Sequence, residues 1–127
     1  MKQGDCFFNK NAPGLPSHPW VILSDPDIDS DNVLIVNLTD ADEHDDKSCV
    51  LDQPDHPGVF TKRSCIAYRF SKVTSVACLK DAKKRGLLIW KKPISRDTLD
   101  KILLGAQETD ELSNGKRELL RDQSLIF

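Results

Sequence analysis

This sequence has no segment able to cross a bilayer as a helix. Its longest apolar runs, Val33 to Val36 among them, stop at four residues, against the roughly 20 that a spanning helix needs. Met1-Lys2-Gln3-Gly4-Asp5 leads into a polar loop by Asn9 without the apolar core of an export signal, so a cytoplasmic protein is expected. Cys-x-x-Cys pairs are also missing. The four cysteines, Cys6, Cys49, Cys65 and Cys78, are scattered, and His18, His44 and His56 do not fall at metal-ligand spacing from any of them. A structural zinc is therefore not expected, nor any other cofactor. Three of the thiols lie in apolar strand-like contexts and read as buried and reduced.

What is present is enough for one core. The chain has 127 residues, 39% hydrophobic and 30% charged, which suits a single globular domain and excludes wholesale disorder. The overall charge of −2 conceals a division. Residues 1–60 carry three bases and twelve acids, a net of −9, and residues 61–127 carry fifteen bases and eight acids, a net of +7. A surface that meets phosphates must then come from the second half, around Lys62, Arg63, Arg69, Lys72, Lys80, Lys83, Lys84, Arg85, Lys91 and Lys92. The alternative is that these cations form solvated faces complementary to the acidic loops.

The chain reads as short strands followed by helices. Gly4 to Phe8, Trp20 to Leu23, Val33 to Leu38, Ser48 to Leu51, and Ser64 to Phe70 continuing through Val73 have strand character, and Leu87 to Trp90 is one more. Val33 to Leu38 is apolar enough to be buried on both faces. Turn-rich segments separate the strands, including Gln53 to Gly58 before Val59-Phe60. The Asp25 to Asn32 loop has Asn32 and Leu38 where a calcium loop needs glycine and glutamate, which excludes an EF-hand. His44, in the acidic loop after Asp40, is expected to be exposed. Helical periodicity marks 76–85, closed by Gly86, then 96–107 behind the N-cap Ser95, with a last short helix through Leu119 and Leu120. The expected architecture is α+β in one domain over 1–127. A small antiparallel β-barrel body at about 3–92 has one inserted helix, and helices follow at 95–122.

Four stretches, taken in order, resemble the PemK/MazF-like toxins. Gly4-Asp5-Cys6-Phe7-Phe8 is similar to that family's opening strand, and His18-Pro19-Trp20-Val21-Ile22-Leu23-Ser24 to its second. Val33 to Asp40, ending Asn37-Leu38-Thr39-Asp40, is similar to its "pro-leu-thr-ser" strand, and Lys62-Arg63-Ser64-Cys65-Ile66-Ala67 to a later one. The likeness covers about residues 3–75. It implies an SH3-like barrel, metal-independent endoribonuclease activity on single-stranded RNA, an antitoxin protein partner and a homodimer. Two departures stand out: His18 occupies the position of the family's arginine, and Arg69 falls near that of an acidic residue. Thr39 alone transfers directly as a site position.

Cleaving RNA without metal needs a base for the 2′-hydroxyl, groups that hold the phosphorane and an acid for the leaving oxygen. On this chemistry His18 and His56 are the proton-transfer candidates. Thr39 and Ser64 would hydrogen-bond the scissile phosphate. Lys62, Arg63 and Arg69 would hold its charge, and Tyr68 would stack a base. Each has a structural alternative: a loop or turn histidine, a strand-end hydroxyl, a core tyrosine. The competing function is a non-catalytic SH3-like module that binds a partner protein or nucleic acid. The acidic first half favours that reading because it would repel RNA from its own side.

Overall fold

A computed structural model describes residues 1–56 and 62–127. The strands are β1 (Cys6–Asn9), β2 (Pro19–Ile22), β3 (Asn32–Asp40), β4 (Val50–Leu51), β5 (Ser64–Ile66), β6 (Lys72–Ser75) and β7 (Leu88–Lys91), and the helices are α1 (Val76–Lys84), α2 (Arg96–Glu108) and α3 (Asn114–Asp122). All recorded pairings are antiparallel, in the order β4-β5-β3-β2-β1-β7, with β6 also on β3. The nine-residue β3 is the hub. One edge pairs with β2 over Ile35 to Asn37, and the other takes β6 along Asn32 to Ile35 and β5 along Leu38 to Asp40.

Side chains alternate along β3, and both sets are buried. Val33 and Ile35 join Phe7, Trp20, Ile22, Val76, Leu79 and Leu88 on one face. Leu34, Val36 and Leu38 join Val21, Tyr68, Leu99, Ile102 and Leu120 on the other. Helix α1 supplies the layer over the first face, and α2 and α3 supply the second. The α+β class and the antiparallel pairing of β2 with β3 are as expected. The sheet, however, is not closed into a barrel: among the described residues no ladder joins β4 to β7. A barrel encloses one interior face, whereas a strand buried on both faces needs a layer on each side. Helix α1 provides one of those layers because it connects β6, on β3, to β7, on β1.

The three helices start near their expected positions. The Ser75 side chain accepts from the Cys78 amide and the Ser95 side chain from the Thr98 amide, both at 3.1 Å, satisfying donors that a helix start leaves open. Gly86, at φ +74, ends α1 in the left-handed conformation that glycine adopts without strain. No helix among the described residues is long and apolar enough to cross a membrane.

Two expectations need correction. The strand anticipated from Ser64 through Val73 is broken by a 3-10 turn at Tyr68–Phe70, and β6 starts afresh at Lys72. Cys65, Ile66, Ala67 and Tyr68 are all buried in succession. An extended strand sends alternate side chains to opposite faces, so the chain must turn to carry Tyr68 into the core. There its hydroxyl donates to the Ile102 carbonyl at 2.7 Å. His44 is the second correction, since it is only 9% exposed and packs against Phe70 and Glu111. The anticipated Gln53 to Gly58 turn begins as a 3-10 turn at Gln53–Asp55, and its end, with Val59-Phe60, lies outside the described residues.

Candidate nucleic-acid interface

A recess of about 620 Å3 lies on the α1 face between the Ala12–Leu15 segment, β6, α1 and the start of β7. Its outer wall is a proline- and glycine-rich loop that cannot form a ladder of its own. The buried Asn9 holds it in place: its Oδ1 accepts from the Ala12 amide at 2.8 Å, and its Nδ2 donates to the Leu15 carbonyl at 2.6 Å. Trp20 Nε1 donates to the Pro16 carbonyl at 3.2 Å, and Lys72 Nζ ties β6 across to the Gly14 carbonyl.

Lys72 and Arg85 line this groove, and the segment that supplies most of its wall is basic. Residues 72–92 contain seven bases and one acid, and that acid, Asp81, sits 3.5 Å from Arg85 one turn along α1. Lys80, Lys84, Lys91 and Lys92 are exposed. Lys83 Nζ lies 4.4 Å from the centre of the half-buried Trp90 ring, which stacks on Phe7 at 5.0 Å and 13°. Cations beside an aromatic face, next to a groove, are the elements that single-stranded nucleic acids use. The charge was legible in the sequence as a cluster at 80–85. The groove was not, because its walls are residues 12–15 and 72–88, which only the fold brings together.

The residues singled out from sequence fall into separate groups. His18 is half-buried at the end of the Asn9-held loop, with its amide donating to the Pro16 carbonyl at 2.9 Å. The recorded β2–β3 pairing ends at Trp20↔Asn37, two residues from His18 on one strand and from Thr39 on the other. Thr39 pairs with Cys65, and Ser64 pairs with Asp40 while its hydroxyl donates to the Lys62 carbonyl at 3.2 Å. Lys62 donates to Asp40 at 2.7 Å; that contact holds the Asp40 carboxyl below and the lysine above their ordinary ranges. Arg63 is exposed, and its carbonyl accepts from the Ala41 amide. Arg69 reaches Glu111 at 3.9 Å and lies over Phe70.

His56 does not join His18. Its Nε2 donates to the Lys92 carbonyl at 2.7 Å, next to the β7 end where Lys91 pairs with Cys6. His18 adjoins Asn9, which pairs with Leu88 at the opposite end of that strand. The two ends differ by about four residues, roughly 13 Å of strand at about 3.4 Å per residue. Burial pushes the His56 imidazole below its ordinary value. Tyr68 is wholly buried, and that burial drives its hydroxyl strongly upward, so its ring is closed to a base in this structure.

A second polar cluster escaped the sequence reading. His44, Asp46 and Glu111 offer ligand atoms that all lie within 4.8 Å of one another. Glu111 stands after α2, more than sixty residues from the other two, and no spacing rule links them. Neither a protein-family profile nor a curated protein sequence matches this chain.

Proposed function

We propose that this protein binds single-stranded RNA along the basic groove of the α1 face. The observation that carries the reading is the coincidence of a 620 Å3 groove with a surrounding segment of seven bases and one acid and a Lys83–Trp90 pair beside it. Phosphates would meet Lys80, Lys84 and Arg85, and a base would stack near Trp90.

Fluorescence anisotropy with a labelled single-stranded RNA tests this. Binding should weaken with salt at a log–log slope of about −3 if some four phosphates are contacted, at about 0.7 per contact. The Lys80→Glu/Lys84→Glu double variant should lose most of that affinity while keeping its thermal midpoint, since both side chains are exposed. Salt-independent binding, or equal binding by the variant, would sink the proposal.

A second reading is that of a divergent PemK/MazF-like endoribonuclease. What favours it is that β2 and β3 pair up to Trp20↔Asn37, two residues from His18 and from Thr39, with Ser64 paired to Asp40 one strand further on. On this reading the SH3-like barrel survives as an opened variant, an antitoxin protein competes with RNA, and a second copy completes the assembly. His18→Ala should then abolish RNA cleavage without lowering the thermal midpoint. Cleavage by both proteins alike would remove His18 from the chemistry, and RNA binding without any cleavage would leave the binding module alone standing.

A further inference from the structure

The loop that follows β3 and the segment that joins α2 to α3 meet in a cluster whose charges are not matched. His44 Nε2 lies 3.6 Å from Glu111 Oε2, and both atoms are buried without a hydrogen-bond partner. The His44 side chain is only 8% exposed, and its ring nitrogen is shielded from bulk solvent. Asp46 completes the group within 4.8 Å. Beside these residues a recess of about 250 Å3 is lined by Asp45, Asp46, Ser48, Glu108, Asp110 and Glu111, all polar and five of them acidic.

We propose that His44, Asp46 and Glu111 bind a divalent transition-metal ion, of which Zn2+ is the representative. One imidazole nitrogen and two carboxylates are the donor mixture such ions accept, and the imidazole disfavours Ca2+ and Mg2+, which take oxygen. Two carboxylates and a neutral imidazole sum to the charge that a dication cancels. Four-coordinate zinc with bonds of about 2.0–2.2 Å requires ligand atoms about 3.3–3.6 Å apart. The His44–Glu111 separation already meets that, and Asp46 has to move by about an ångström. The adjoining recess leaves room for water in the fourth position.

The surroundings orient the ligands as metal sites require. Asp46 Oδ1 accepts from the Ser48 amide and hydroxyl, and Oδ2 accepts from Thr109 Oγ1 at 2.6 Å. Thr109 Oγ1 also accepts from the Glu111 amide at 3.1 Å, so one hydroxyl positions two ligands. Two protein cations stand nearby. Lys47 Nζ is engaged by the Ala41 and His44 carbonyls, and Arg69 faces the other Glu111 oxygen, Oε1, leaving Oε2 for the ion. The ion would clamp the 41–49 loop to the α2–α3 junction.

Titration of the chelator-treated full chain with Zn2+ and Co2+ tests the site. The expected result is one ion per chain and a thermal midpoint raised by roughly 10 °C at a hundredfold excess over the dissociation constant. Glu111→Gln keeps the volume of a partly exposed side chain and should weaken binding at least tenfold. His44→Gln should do the same, and its folding is checked by circular dichroism so that loss of the site is distinguished from loss of the fold. No binding by the folded wild type, or unchanged binding in Glu111→Gln, would overturn the proposal. So would a thiolate-to-cobalt charge-transfer band, which would place the ion on the exposed Cys78.

Discussion

Among the described residues, α2, α3 and the Tyr68 turn enclose eighteen buried residues on one face of the sheet, whereas on the other α1 and the Ala12–Leu15 segment enclose eight and leave the 620 Å3 groove between them. The closed face includes long-range polar contacts made inside the core, such as Tyr68 to Ile102. The open face relies on side-chain hydrogen bonds from Asn9, Trp20 and Lys72 to fix a loop. Apolar area removed from water is the main stabilising term, at about 25 cal/mol per Å2. The α2–α3 face therefore dominates stability, and the α1 face is the one free to present a recognition surface.

The most severe test of this contrast is Gly105, where α2 crosses the sheet. A methyl group there would sit 2.3 Å from the Tyr68 hydroxyl and 2.7 Å from Cys49 Cβ. Since both neighbours are buried, Gly105→Ala should cost about 3 kcal/mol by denaturant unfolding. A change within experimental error would show that the closed face is looser than its packing indicates. On the open face, Asn9→Ala removes the side chain that satisfies the Ala12 amide and the Leu15 carbonyl. It should cost about 2 kcal/mol and lower RNA affinity more than its effect on stability would suggest, because the groove wall goes with it. Affinity preserved in a destabilised Asn9→Ala would separate the loop from the binding surface.

The smallest expected effect concerns pH. His56 is buried, and its pKa is depressed below its ordinary value by that burial, so the unfolded chain takes up a proton that the folded chain resists. The stability tied to this residue is complete above the unfolded pKa of about 6.5 and is lost as pH falls through the lower folded value. Wild-type stability should decline from pH 7 to pH 5, and His56→Gln should flatten that decline. An identical slope in both proteins would assign the loss to other groups.

Strand and helix existence was legible because it rests on local pattern. Ser95 as a cap, Gly86 as a stop, and the doubly apolar β3 were all readable from the sequence. That last feature also held the correction to the barrel, since a strand apolar on both sides calls for a layer on each. The candidate site was legible only in part. The basic run at 80–85 announces itself, while the turn that takes Tyr68 inward depends on the Ile102 carbonyl that receives its hydroxyl.

By itself the sequence determined the α+β class, the placement of the helices and the polarity of charge, because capping, periodicity and composition act over a few residues. Tertiary structure alone decided that the sheet stays open, that His56 and His18 stand at opposite ends of β7, and that His44 and Asp46 meet Glu111. Those outcomes depend on contacts between residues tens of positions apart, and such contacts leave no trace in local spacing.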